Sequence, residues 1–136
     1  MENQHNDDAG RTRVAVVDAS NVANSAPSAK ACLEYLTLLV ARLEAEGVTP
    51  VVVADAGLSR RIDDRDGYLR MVEQGVIRVA PAGTEADELI LELARELDAA
   101  VVSNDRFREW RQRYPGEVAR RVGFRVRNGV AELRGL

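Results

Sequence analysis

Cysteine, histidine and lysine each occur once in this chain, at Cys32, His5 and Lys30. One cysteine excludes an intrachain disulfide and a thiolate zinc centre, and it suits a reducing compartment. The histidine lies in the polar opening MENQHNDDAGRT, a poor place for a metal ligand or a general base. No apolar run approaches the roughly 20 residues that span a bilayer, and nothing at the N-terminus resembles a signal peptide. A soluble, cytoplasmic protein without membrane contact is the expectation.

Several phosphate chemistries are excluded by what is missing. There is no G-x-x-x-x-G-K-[ST] for a P-loop, and no G-x-G-x-x-G follows the first strand to support a dinucleotide fold. Ser20, two positions after Asp18, stands where an Asp-x-Asp phosphatase needs a second acid. No lysine lies late in the chain to suit a receiver domain.

What is present suits one globular domain. The 136 residues are 46% hydrophobic and 30% charged, enough apolar material for one core and none to spare for a second. Residues 1–12 are polar and aperiodic and read as a flexible tail, leaving 13–136 as the domain. Net charge is −3, which argues against general nucleic-acid binding, but the charge is uneven. Nine arginines follow Asp105, against Glu109, Glu117 and Glu132. Any phosphate contact there would be made by a guanidinium, which binds in a bidentate way.

Short Val-rich runs alternate with helical patterns. Arg13–Asp18, Pro50–Asp55, Val76–Ala80 and Ala99–Ser103 read as strands buried on both faces, the mark of a parallel sheet. Between them, Pro27–Glu46 carries Cys32, Leu33, Leu36, Leu39, Val40 and Leu43 on one helical face. Further helices are expected over Asp64–Gln74, over Glu85–Leu97, and from Asp105 through Phe107, Trp110 and Tyr114 to Pro115. Asn128-Gly129 inside FRVRNGVAEL signals a type I′ hairpin. The order implies a three-layer α/β/α, Rossmann-like domain with a mostly parallel central sheet and a C-terminal hairpin.

In such sheets ligands bind beyond the strand C-termini, where strand order reverses. If the first and fourth strands are neighbours, Asp18 and Asp105 project into one crevice, and Asp87 approaches from the side. Carboxylates without His or Cys suit a hard, oxygen-loving cation such as Mg²⁺, which lowers the pKa of an attacking water and binds a phosphodiester oxygen. Each acid also has a bland explanation. Asp105, Asn104 or Ser103 could cap the following helix, Thr84-x-x-Asp87 fits a capping box, and Asp18 and Asn21 could merely order a loop.

VAVVDASNVANS (14–25), TEADELILELARELDAAVVSNDRFREW (84–110) and the spacing between them resemble the PIN-like, NYN-type ribonuclease domain of the Regnase family, the CCCH zinc-finger ribonucleases. The likeness runs from about Arg13 to Val126. It implies a Mg²⁺- or Mn²⁺-dependent endoribonuclease acting on single-stranded or loop RNA, with Asp18, Asp87 and Asp105 as metal-holding catalytic acids. It also implies that Ser20 and Asn21 order the first loop, that Ser103 and Asn104 order the last, and that Glu109 replaces a family aspartate. Arg60, Arg61, Arg106 and Arg108 are the expected RNA contacts, and a homodimer follows by resemblance alone. Ala86 departs from the pattern, since the family has two adjacent acids there; Glu85 or Glu88 is the available substitute. The alternative is a catalytically degenerate domain that binds RNA or a protein without cutting.

Overall fold

A computed structural model describes residues 13–135, so the expected tail and His5 lie outside the described residues. β1 (Arg13–Asp18), β2 (Val48–Ala54), β3 (Ile77–Val79), β4 (Ala100–Val102), β5 (Arg121–Arg127) and β6 (Val130–Arg134) form one sheet in the order β3-β2-β1-β4-β5-β6. All neighbouring pairs are parallel except β5 and β6. β1 and β4 are neighbours, with Val16 opposite Val101 and Val17 opposite Val102. The reversal of strand order therefore falls between them, and their C-terminal ends share one edge.

Helices cover both faces, as the continuous apolar strands require. Ala15 and Val17 pack with Leu36, Leu39 and Leu43 of α2 (Leu33–Ala45), while Val16 packs with Ile90, Leu91 and Ala94 of α5 (Ala86–Leu97). The three-layer α/β/α expectation is met. At the terminal hairpin Asn128 (φ 54°) and Gly129 (φ 75°) turn left-handed, as a two-residue type I′ turn demands. No helix among the described residues is long and apolar enough to cross a membrane.

Three local expectations fail for identifiable reasons. α2 starts at Leu33 and not at Pro27, because Ala31 is held extended by backbone bonds to Arg61 and Asp63 and bridges to Ile62. Cys32 is consequently the half-buried residue before the helix, where Asp63 Oδ1 accepts from Leu33 N at 3.0 Å. β2 begins two residues before Pro50. That is tolerated because β3 reaches only Val52–Ala54, leaving Pro50 with one neighbouring strand.

The continuous helix expected after Asp105 is absent. Asp105 Oδ1 accepts from Phe107 N at 2.8 Å, and Phe107 adopts φ 50°, which a helix cannot contain. A 3₁₀ turn (Arg108–Trp110) follows, and α6 (Pro115–Ala119) starts afresh at the proline. Phe107, Trp110 and Tyr114 are buried nonetheless, so the core role read from their spacing is right although the helix is not. Two short helices had no counterpart in the periodicity: α1 (Ala19–Asn24) and α3 (Leu58–Arg61), the latter followed by α4 (Arg65–Glu73).

Candidate active site

Asp18 ends β1 and caps α1. Its Oδ1 accepts from Asn21 N at 3.3 Å and its Oδ2 accepts from Ser103 Oγ at 2.8 Å. The residue is only 6% exposed, and burial, with smaller contributions from the charges of Asp87 and Asp105, pushes its carboxyl up to about 6. The cap and the acid are the same side chain.

Ser103 and Asn104 tie the opposite loop to this one. Fully buried Ser103 donates to Asp18 and accepts from Asp105 N at 3.0 Å. Asn104 N donates to Asn21 Oδ1 at 2.8 Å, the second stitch between the two loops. The Asn104 side chain adds a rung to the sheet, accepting from Phe124 N at 3.0 Å and donating to Phe124 O at 3.1 Å. Asp105 is thus aimed by bonds on both sides, from Ser103 behind it and to Phe107 ahead.

Asp87 lies in the first turn of α5, half-buried. Burial, then the charges of Asp105, Glu85 and Glu109, push its carboxyl up to about 6; the Trp110 indole N–H nearby opposes this but makes no full hydrogen bond. The expected capping box does not form: Glu85 occupies the cap position without a side-chain bond, and Thr84 Oγ1 turns back to Pro81 O. Asp87 is thereby spared a capping role. Of the two substitutes for the acid missing at Ala86, Glu88 is committed to Arg113 at 2.9 Å, whereas Glu85 bears on Asp87.

Asp87, Asp105, Arg106, Phe107, Arg108 and Glu109 line one crevice of about 450 Å³. Asp18 is not in its lining but is electrostatically joined to it. Ser20 points elsewhere, donating to Asp55 Oδ2, and Asp55 also accepts from Gly57 N and pairs with Arg61 at 3.0 Å. Burial alone would raise Asp55, but the bonds from Ser20 and Arg61 and the guanidinium charge outweigh it and hold the carboxyl low. Arg60 and Arg61 lie on α3, outside this crevice. Trp110 was legible only as a core aromatic; its buried, unpartnered Nε1 beside Asp87 had no signal in the spacing.

The donor set is all oxygen: the charges of Asp87 and Asp105 raise Asp18, and those of Asp105, Glu85 and Glu109 raise Asp87. Among the described residues, no three acids converge into a closed metal cluster. What fits is a divalent ion that keeps several waters and takes few carboxylates directly, the habit of Mg²⁺.

The family described as Zc3h12a-like ribonuclease NYN domain matches residues 11–127. No curated protein matches. The crystal structure of nuclear proteinaceous RNase P 2 (PRORP2) from A. thaliana aligns with a TM-score of 0.68 at 18% identity, covering 98% of this chain and 32% of that one. A second structure, Arabidopsis thaliana nuclear protein-only RNase P 2, gives 0.65 at 19%, covering 94% and 30%. The chain spans about a third of the length of these structures, and the likeness shows a shared fold.

Proposed function

The chain belongs to the Zc3h12a-like ribonuclease NYN domain family, and on that premise we propose that it is a metal-dependent endoribonuclease of the Regnase type. The observation that carries this is the pair Asp18 and Asp87, both pushed to about 6 at the edge where strand order reverses, beside a crevice that also holds Arg106 and Arg108.

Asp87 and Asp105, which share the crevice, would hold Mg²⁺ or Mn²⁺ with Asp18 contributing its charge from behind them, and the ion would supply an activated water and neutralise charge developing at phosphorus. Around it, Ser103, Asn104 and Asn21 lock the loops that carry the acids, and Glu109 adds negative charge at Asp87. Arg106 and Arg108 bind and orient the scissile phosphate. Exposed Arg60 is proposed as an outer backbone contact, while Arg61 and Ser20 serve chiefly to fix Asp55 at the base of α3. An open crevice fed by guanidiniums suits single-stranded or loop RNA, read through its backbone. Residues 13–136 constitute the catalytic unit, acting in the cytoplasm, and pairing of two copies belongs to the reading through resemblance.

The test is incubation of labelled single-stranded RNA with the protein and with Asp18→Asn, in Mg²⁺, Mn²⁺ or EDTA. Internal cleavage by the wild type with either metal, lost in EDTA and in the variant, is expected. Cleavage that survives both would overturn the carboxylate-metal mechanism. A non-cleaving, RNA- or protein-binding domain is the second reading, favoured by Ala86 at the first position of α5, where the family carries an acid. Binding without cleavage by the wild type would establish it.

A further inference from the structure

Six arginines among the described residues are held in ion pairs, with Glu46, Asp55, Glu117, Glu88, Asp98 and Glu132. Three that are not lie together. Arg106, Arg121 and Arg134 line one groove with Asn104 and Gly123, on the β5–β6 side of the crevice. The only side-chain bond any of the three makes among the described residues is from Arg121 Nη1 to Ser103 O at 2.9 Å, a neutral acceptor. Three guanidiniums thus face one depression with no carboxylate to offset them, in a chain whose net charge is −3.

The groove continues in both directions through shared walls. Arg106 belongs also to the acid crevice, joining the two. Asn104 and Arg134 belong also to a third depression, walled by Val126 and half-buried Tyr35. Gly123 keeps the middle stretch open: a Cβ there would come within 3.2 Å of Asn104 Oδ1 and would project among the guanidinium stems of Arg121 and Arg134. The three depressions therefore form one path from Asp105, past three guanidiniums without a carboxylate partner among the described residues, to an aromatic ring.

We propose that this path carries the RNA strand away from the cleavage site, with Arg121 and Arg134 gripping successive phosphates and Tyr35 offering a ring to a base beyond them. It rests on the ribonuclease reading above and extends it. Guanidiniums match phosphate oxygens in a bidentate way, and an aromatic at the end of a basic groove is the arrangement that holds single strands without sequence preference. Arg121 and Arg134 are binding residues here, remote from the reacting atoms.

The test measures binding of a labelled single-stranded oligouridylate in EDTA, across a range of salt, for the wild type, Arg134→Gln, the double variant Arg121→Gln/Arg134→Gln, and Arg78→Gln on β3 at the opposite edge of the sheet. Removing one phosphate-gripping guanidinium should flatten the log-affinity against log-salt slope by about 0.7 and weaken binding about fivefold at ~0.1 M salt, so the double variant should bind about 25-fold more weakly. Arg134→Gln, which breaks no bond in the fold, should show one such step, and Arg78→Gln none. An unchanged slope, or an equal loss in Arg78→Gln, overturns the groove. If the slope behaves as expected but no protein cleaves in Mg²⁺ or Mn²⁺, the groove stands and the nuclease reading falls; cleavage with an unchanged slope gives the converse.

Discussion

Replacing Asp18 by asparagine should make the protein more stable at neutral pH while abolishing the proposed activity. The carboxyl is raised from 3.8 to about 6, chiefly by burial. A group that holds its proton more tightly folded than unfolded favours folding when protonated, so its contribution is fully present below about pH 3.8 and is lost as pH rises through about 6. That interval of about two pH units corresponds to about 3 kcal/mol lost by the wild type at neutral pH.

Asparagine escapes that loss but disturbs one bond. Its Oδ1 still accepts from Asn21 N, but its amide meets Ser103 Oγ donor to donor, and that oxygen already accepts from Asp105 N. The mismatch costs about 1 kcal/mol. The variant should therefore be about 2 kcal/mol more stable near pH 8 and about 1 kcal/mol less stable near pH 3.5, with the sign changing near pH 4.5. Urea unfolding followed by circular dichroism in EDTA reads this directly: the midpoint near pH 8 should rise by about 1 M. A midpoint displaced equally at both pH values, or lowered near pH 8, would refute the claim that a buried carboxylate is held against its solvation preference.

Four further outcomes follow from the same geometry. Asp87→Asn and Asp105→Asn should each reduce RNA cleavage by about 10²-fold or more in single-turnover assays, leaving circular dichroism unchanged. Cleavage by the wild type in Mg²⁺ should climb as pH passes through about 6, because Asp18 and Asp87 must shed their protons to attract a cation; a rate already at plateau well below that pH contradicts it. Trp110→Phe removes the N–H that opposes the rise of Asp87, so the acidic limb of the pH–rate profile should move to higher pH, while the smaller ring leaves part of a core site empty and lowers thermal stability. Asn104→Ala deletes both bonds to the Phe124 backbone and should lower unfolding free energy by about 1–3 kcal/mol in urea titrations.

The layer architecture was legible because it rests on periodicity. Val16 and Val17 serve opposite faces of a sheet covered on both, which is why the run is continuous, and Leu36, Leu39 and Leu43 return at helical spacing. Irregular segments were legible only in part. Phe107, Trp110 and Tyr114 keep helical spacing because all three enter one core, but a single Asx turn at Asp105 sets Phe107 left-handed and breaks the helix that the spacing suggests. The roles of Ser20 and Asn21 diverge for a similar reason: adjacent residues on the short α1 point to different neighbours, Asp55 and Asn104. No pattern within DASN carries that information, since it depends on which strands flank β1.

Placing the acids at the reversal of strand order explains how the fold tolerates them. A buried carboxylate beside two others would ordinarily drive its loop outward into water, but here Asp18 cannot leave without unmaking the cap of α1 and the bond from buried Ser103. Asn104, which follows Ser103 and bonds Asn21, cannot move without surrendering its rung on β5. The repulsion is therefore opposed by side-chain hydrogen bonds that tie the two loops to each other and to β5. On the proposed reading, a site held in this way is ready to bind a cation before one arrives, and binding would relieve that repulsion. Millimolar Mg²⁺ should consequently raise the unfolding midpoint of the wild type near pH 8 far more than that of Asp18→Asn. Equal gains in the two proteins would place the cation elsewhere.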